Sequence, residues 1–168
     1  MTPSDALLRT LAAVSPASRI LDLACRDGHH TLALTALGFD VWACDPNSES
    51  VAAVRRQLDE ALGDGEGQRR VAQSSPDALG YPDGYVDWVV ASGLAGSDVE
   101  IVSALVEARR VLKPGGWLWI ELVDLKSLEA LTELAEAAGL LVAEAPARAD
   151  ERGTVFGTYR RVEPGVAA

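Results

Sequence analysis

The chain has few cysteines and no long apolar run, and each shortage excludes a class of protein. Its 168 residues include two cysteines, Cys25 and Cys44, which are too few for a disulfide framework and lack zinc-binding spacing. We expect both to be small buried residues in a reducing compartment. No apolar segment reaches the roughly 18 residues that a membrane-spanning helix needs. Because Asp5 and Arg9 break the apolar stretch at residues 6–14, we expect no signal peptide and a cytoplasmic protein.

Positive charge is also scarce, since 15 lysines and arginines face 25 acidic residues and give a formal net charge of -10. A field of that sign repels phosphate backbones and anionic lipid, so we expect neither nucleic acid nor membrane as a partner. The hydrophobic share of 48% and charged share of 24% are typical of a folded globular protein. We predict an N-terminal helix in residues 1–18, one domain over residues 19–162 and a tail at residues 163–168.

Several motifs for nucleotide binding and hydrolysis are missing. The glycines of a dinucleotide-binding GxGxxG would fall at positions held by Ala24, Arg26 and His29. The chain contains no Gly-x-Ser-x-Gly elbow, and the glycines around Gly63 lack the Lys-Ser/Thr of a phosphate loop. His29 and His30 would point about 100° apart on a helix, so they cannot easily bind one metal. The favoured interpretation is that both histidines are simply polar residues at the start of a helix. The alternative is that His30 faces a substrate and acts as a base.

Apolar, strand-like runs alternate with segments of helical period, which is typical of a parallel α/β sheet. The predicted strands are residues 19–24, 39–44, 70–73, 86–91, 117–122, 140–145 and 154–162, the last two forming a hairpin. We predict helices between the first six strands, a polar loop at residues 63–68 and a turn at residues 113–116.

The loop after the first strand is where a ligand is expected first, because open α/β sheets bind ligands beyond the carboxyl ends of their strands. Gly28 lies where the chain turns into a helix, whose N-terminal N–H groups attract anionic groups. The second strand ends at Asp45, roughly 20 residues beyond the turn, the spacing at which an acid accepts both ribose hydroxyl protons. Ribose binding is favoured over a helix cap before Pro46, because the turn, the strand and the spacing agree.

Three segments resemble the class I S-adenosylmethionine-dependent methyltransferases, in particular the type 11 group. They are ILDLACRDGHHTLALTALGFDVWACDPN at residues 20–47, YPDGYVDWVV at residues 81–90 and LKPGG at residues 112–116. The resemblance extends over residues 20–122. It implies a Rossmann-like, doubly wound α/β fold with helices on both faces of a seven-stranded, mostly parallel sheet. The implied strand order is 3-2-1-4-5-7-6, with an antiparallel last strand.

The resemblance also implies a methyltransferase that uses S-adenosylmethionine. The acceptor would be a small molecule or a protein, and a homodimer stays open. The implied cofactor-binding residues are Asp22, Ala24, Cys25, Arg26 and Gly28 at the methionine end, Asp45 at the ribose, Pro46 beside the adenine, Ser75, Pro76 and Asp77 near its amino group, and Ala91, followed by Ser92, under the sulfonium. No catalytic residue is assigned, because the sulfonium is already a good leaving group and a general base is optional.

The chain departs from the family pattern at two places. Ala24 and Arg26 stand at glycine positions of the acid-x-Gly-x-Gly-x-Gly motif, where a positive φ would disfavour side chains. The Arg26 side chain points out to solvent, pairs with the cofactor carboxylate or fills the cavity, and the sequence leaves these three alternatives open. Ser75 replaces the usual acid after the third strand, and Asp77 is the nearby substitute. Two alternatives therefore stay open: a non-catalytic homologue that acts as a binding or regulatory protein, and an enzyme that uses a related nucleoside for other chemistry.

Overall fold

The computed structural model describes residues 5–123, 127–148 and 154–162. Its strands are β1 (Arg19–Leu23), β2 (Asp40–Asp45), β3 (Val71–Gln73), β4 (Val86–Ala91), β5 (Leu112–Leu122), β6 (Leu140–Arg148) and β7 (Val155–Arg161). They form one sheet in the order β3-β2-β1-β4-β5-β7-β6. The first five strands are parallel, and β7 pairs antiparallel with both β5 and β6. The predicted sheet, its order and its closing hairpin are confirmed.

The helices cover both faces of the sheet, as predicted. They are α1 (Asp5–Leu11), α2 (His29–Ala36), α3 (Ser48–Leu62), α4 (Glu66–Arg70), α5 (Asp98–Val111) and α6 (Leu128–Ala137). Successive strand residues point to opposite faces, so on β4 Val89 packs with residues of α5 and α6 while Val90 packs with residues of α1 and α2. Val54 and Leu58 of α3 form a third cluster with the side chains of β2 and β3.

Residues 63–68 were predicted to be a loop, and this prediction is wrong because α4 begins inside them. Gly65 adopts φ 88, which turns the chain into the helix. Glu66 then pairs with Arg69 and Arg70 at helical spacing, with contacts of 2.6 and 2.7 Å. The predicted turn at residues 113–116 is included in β5, where the pairing with β4 shifts its register.

The connection between β3 and β4 contains no helix, so the prediction of helices between all of the first six strands is also wrong. Side chains of α5 hold this connection instead. Glu107 accepts the Leu79 N–H at 2.8 Å, and the Arg110 guanidinium donates to the carbonyl oxygens of Leu79 and Tyr81, both at 2.9 Å. Arg110 also forms ion pairs with Glu107 and Asp83, both at 2.7 Å.

The N-terminal helix predicted within residues 1–18 corresponds to α1. Residues 1–4 and the predicted tail at residues 163–168 lie outside the described residues, and the division into domains stays a prediction. Over the described ranges, the helices are too short or too polar to cross a membrane.

Candidate functional site

A crevice of about 390 Å³ opens beyond the carboxyl ends of β1, β2, β3 and β4. Its size falls within the roughly 300–1,000 Å³ of small-molecule sites. Many of the predicted cofactor-binding residues line it, namely Ala24, Arg26, Asp45, Pro46, Ser75, Pro76 and Asp77. The opposite wall was missed from the sequence and consists of Gly93, Leu94 and Ala95 after β4 with Glu100, Ile101 and Ala104 of α5. The signal that could have found this wall is the position of β4 beside β1 in the implied strand order.

Four predicted residues, Asp22, Cys25, Gly28 and Ala91, do not line the crevice. Asp22 is buried beneath the loop and accepts a hydrogen bond from the Thr31 hydroxyl at 2.6 Å. Burial raises the pKa of Asp22 to about 6, partly offset by that hydrogen bond. The side chains of Cys25 and Ala91 are buried in the core, and Gly28 turns the chain into α2 at φ 78. Their roles in ligand binding stay predictions.

The loop after β1 keeps a glycine-like backbone although two of its residues carry side chains. Ala24 has φ 59 and Arg26 has φ 52, both in the left-handed region. Such residues cost on the order of 1–3 kcal/mol each, so the surrounding contacts must hold them. Gly93 is in close contact with this loop, because a Cβ at Gly93 would lie 2.1 Å from the Ala24 carbonyl oxygen. A residue without a side chain is therefore required where the two loops meet.

Asp45 anchors this loop from the end of β2. Its carboxylate accepts the N–H of Arg26 at 2.8 Å on one oxygen and the N–H of Asn47 at 2.9 Å on the other. The Asn47 side chain in turn accepts the N–H groups of Glu49 and Ser50, so Asn47 is the cap of α3. A carboxylate has about four acceptor positions, which leaves Asp45 able to accept two further donors.

The Arg26 guanidinium reaches from the loop after β1 to the loop after β4. Its Nη2 donates to the Gly93 carbonyl oxygen at 2.9 Å, and both residues line the crevice. Arg26 contributes positive charge to walls that also carry the carboxylates of Asp45, Asp77 and Glu100. This arrangement suits a ligand with one anionic end and otherwise cationic or hydrogen-bond-donating groups.

The segment after β3 provides a carboxylate near the position that is acidic in the family. The Ser75 hydroxyl donates to the Asp77 carboxylate, and both residues line the crevice. The carboxylate of Asp77 therefore lies within one hydrogen bond of the Ser75 position. The substitution of Asp77 for the usual acid stays a prediction that this contact supports.

A histidine–serine pair lies beside the crevice. Ser92, which directly precedes Gly93, has its Oγ 2.8 Å from Nδ1 of His30. His30 is buried and does not line the crevice, and its ring lies 3.9 Å from the ring of His29. His29 bonds to Asp27 at 3.0 Å. Burial, reinforced by the charge of His29, lowers the pKa of His30 to about 4, so its ring is neutral at pH 7.

The strand order and the crevice at the ends of β1 and β2 define the architecture of the class I S-adenosylmethionine-dependent methyltransferases. Residues 21–120 match the sequence profile of the Methyltransferase domain family, and the chain therefore belongs to that family. No curated protein matches the sequence.

Solved structures share this fold. The PH0226 protein from Pyrococcus horikoshii OT3 superposes with a TM-score of 0.76 at 18% identity, covering 93% of this chain and 90% of that chain. SpnF, a [4+2]-cyclase, superposes with a TM-score of 0.75 at 19% identity, covering 94% of this chain and 81% of that chain. The 1,6-didemethyltoxoflavin-N1-methyltransferase of Burkholderia thailandensis was solved with bound S-adenosylhomocysteine. It superposes with a TM-score of 0.74 at 18% identity, covering 94% of this chain and 76% of that chain. Together with the family match, the methyltransferase neighbours support S-adenosylmethionine as the cofactor.

Proposed function

We propose that the chain binds S-adenosylmethionine in this crevice and transfers its methyl group to a small-molecule or protein acceptor. The observation that carries the proposal is the placement of Asp45, whose carboxylate is fixed by two N–H groups at the end of β2 and lines the same cavity as Arg26 and Asp77. When bound, the cofactor supplies an electrophilic methyl group, and the protein needs mainly to align the acceptor and exclude water.

The polar groups of the crevice fit this cofactor. The free acceptor positions of Asp45 match the two ribose hydroxyls, and the Arg26 guanidinium matches the amino-acid carboxylate. Asp77 can accept the adenine amino group, while Pro46 and Leu94 provide apolar surface for the ring. The acidic walls also favour the positive charge of a sulfonium.

The acceptor is proposed on charge grounds. A net charge of -10 disfavours nucleic acid and favours a small molecule or a protein. We expect the protein to act in the cytoplasm, and a second copy of the chain would be one way to complete the acceptor site.

An alternative is that the chain is a non-catalytic homologue that serves as a binding or regulatory protein. The hydrogen bond between the Arg26 guanidinium and the Gly93 carbonyl favours it, because a side chain held there competes with a ligand for the crevice. A further alternative is different chemistry on a related nucleoside, since the fold also occurs in SpnF, a [4+2]-cyclase.

The test is a titration of the free energy of unfolding with S-adenosylmethionine and S-adenosylhomocysteine. A ligand at about 100 times its dissociation constant should stabilise the wild type by roughly 2.7 kcal/mol. Asp45→Asn should weaken binding at least tenfold, because one oxygen that accepts a ribose hydroxyl becomes a donor. Asp64→Asn, an exposed position away from the crevice, is the matched control and should bind like the wild type.

The Arg26→Gly variant separates the two main alternatives. If the guanidinium holds the ligand carboxylate, this variant binds more weakly than the wild type. If the ligand stabilises Arg26→Gly but not the wild type, the Arg26 side chain obstructs the crevice. Lack of stabilisation in both proteins would refute cofactor binding.

A further inference from the structure

The histidine–serine pair lies beside the crevice, because Ser92 directly precedes Gly93, which lines it. Trp88, Val90 and Ser92 occupy alternate positions along and just beyond β4, and Trp88 and Val90 pack on the face covered by α1 and α2. The same alternation directs Ser92 toward the first turn of α2, where its Oγ meets Nδ1 of His30 at 2.8 Å. Ser92 is half-buried, and its hydroxyl has the buried His30 ring as a partner.

His30 is held in place by burial and ring packing. It is 4% exposed and its ring packs edge-on against Trp119, with centroids 6.4 Å apart. Because the ring is neutral at pH 7, one ring nitrogen is an acceptor. When the ring proton is on Nε2, the Ser92 hydroxyl donates to Nδ1, and the lone pairs of Oγ are free for another donor.

His29 and Asp27 lie on the outer side of His30. The ring of His29 lies against the ring of His30, and His29 bonds to Asp27, whose side chain is 62% exposed. The Asp27 carboxylate partly offsets the effects that lower the pKa of His30, which makes brief protonation of His30 less costly.

We propose that Ser92 and His30 form a proton relay that takes the hydroxyl proton of the acceptor substrate, which assigns the acceptor to the class of hydroxyl compounds. This inference rests on the proposed methyltransferase function. The acceptor O–H proton passes to Oγ of Ser92 as the Ser92 proton passes to Nδ1 of His30. The acceptor oxygen uses its electron pair to bond the methyl carbon, and the electron pair of the broken carbon–sulfur bond stays on sulfur. After the product leaves, His30 returns its proton to Oγ of Ser92 as the Ser92 hydroxyl proton passes to water, which restores the starting state.

The chemistry of the nucleophile favours a hydroxyl acceptor. A neutral amine attacks with a free lone pair, and a thiol with a pKa of about 8.5 is partly ionised at pH 7. A hydroxyl with a pKa of about 10 or higher stays protonated and becomes strongly acidic once its oxygen is methylated. Even a weakly basic imidazole can accept a proton from such an oxygen, so the low pKa of His30 is sufficient.

The kinetic test uses phenol, aniline and thiophenol as probes that share a ring and differ in the nucleophilic atom. Transfer to phenol should depend on Ser92, whereas transfer to aniline or thiophenol should not, because only the hydroxyl needs a base. Ser92→Ala should lower kcat on phenol about 100-fold with KM little changed, because general bases contribute about that factor. Ser92→Thr should keep most of the activity, and Ser103→Ala on α5 is the matched control. An equal loss of transfer to all three probes in Ser92→Ala, no transfer to phenol, or wild-type kcat on phenol in Ser92→Ala would overturn the relay.

Binding measurements separate this inference from the function on which it rests. Calorimetry with S-adenosylhomocysteine measures whether the wild type binds the cofactor product at all. If the wild type does not bind, the proposed function fails. If it binds and kcat is insensitive to Ser92, only the relay fails.

A spectroscopic measurement tests the relay without turnover. The chain has two histidines, so His29→Gln leaves one imidazole to observe. Nitrogen-15 NMR at pH 7 should show His30 neutral with its proton on Nε2, and the Nδ1 signal should move when Ser92→Ala is added. A proton on Nδ1 would mean that His30 donates to Ser92 and cannot accept a proton there, which would overturn the relay.

Discussion

At Arg26 a long charged side chain occurs in a backbone conformation that glycine usually adopts. Its N–H is bound by Asp45 and its guanidinium by Gly93, so contacts at both ends hold the strained residue. Mutation can separate the effect of the backbone strain from that of the guanidinium. Alanine and glycine both lack the guanidinium, but only alanine keeps a Cβ.

We predict that Arg26→Gly is more stable to unfolding than Arg26→Ala by about 1 kcal/mol, because only glycine relieves the positive φ. Both variants lack the guanidinium, so the bond to Gly93 is absent from the comparison. Urea unfolding of the two proteins measures the difference. An Arg26→Ala protein as stable as Arg26→Gly would show that the loop is not strained at this residue.

Asp22 and His30 titrate in opposite senses over the same range of pH. Asp22 has a pKa of about 6 in the folded protein and an ordinary pKa of 3.8. The free energy of unfolding, and with it stability, therefore falls as Asp22 loses its proton between about pH 4 and pH 6. His30 has a pKa of about 4 against 6.5 ordinarily, so its contribution is lost as pH falls from about 6.5 to 4. In the wild type the two slopes oppose each other.

We therefore predict that replacing Asp22 or His30 singly reveals the pH dependence that the other residue gives to the free energy of unfolding. Relative to the wild type, Asp22→Asn should make the free energy of unfolding rise more steeply with pH between 4.5 and 6.5, the range set by these pKa values. His30→Gln should make it fall. Urea midpoints at several pH values measure both slopes. Identical pH profiles in the two variants would contradict the assigned shifts.

At the level of elements, the β3–β4 connection depends on α5. Arg110 and Glu107 bind the backbone at Leu79 and Tyr81 in place of the missing helix. The same connection carries Ser75 and Asp77 into the crevice, so α5 also supports the predicted adenine end of the site.

We predict that Arg110→Ala lowers the free energy of unfolding by about 1–3 kcal/mol, because it leaves the carbonyl oxygens of Leu79 and Tyr81 without this donor and removes the ion pairs to Glu107 and Asp83. Amide hydrogen exchange should accelerate over residues 75–83, and S-adenosylhomocysteine should bind more weakly. Arg56→Ala, at an exposed position on α3, is the control and should change neither measurement. Unaltered exchange in Arg110→Ala would show that the connection is held by other contacts.

At the level of the whole molecule, the excess of 10 negative charges opposes compaction. Salt screens this repulsion, and the Debye length falls from about 30 Å at 0.01 M to about 10 Å at 0.1 M. The thermal midpoint should therefore rise with sodium chloride, mostly below about 0.1 M. A midpoint that falls over this range would mean that specific ion pairs outweigh the general repulsion.

The elements that could be predicted from the sequence are those with strong local signals. The apolar run at residues 86–91 is such a local feature, and the structure contains it as β4. Asp45 was identified from its spacing after the first strand, and it does line the crevice. The helix α4 was missed because glycines in a polar segment favour a loop, whereas the ion pairs of Glu66 stabilise a helical turn.

The sequence by itself determined the class of fold, the family and the strand ends at which a ligand is expected, because periodicity and turn residues act over a few positions. Only the tertiary structure decided the second wall of the crevice, the hydrogen bond from Arg26 to Gly93 and the pairing of Ser92 with His30. These partners are 67 and 62 residues apart in the chain. No local pattern specifies such contacts, because they arise when the sheet brings the ends of β1 and β4 side by side.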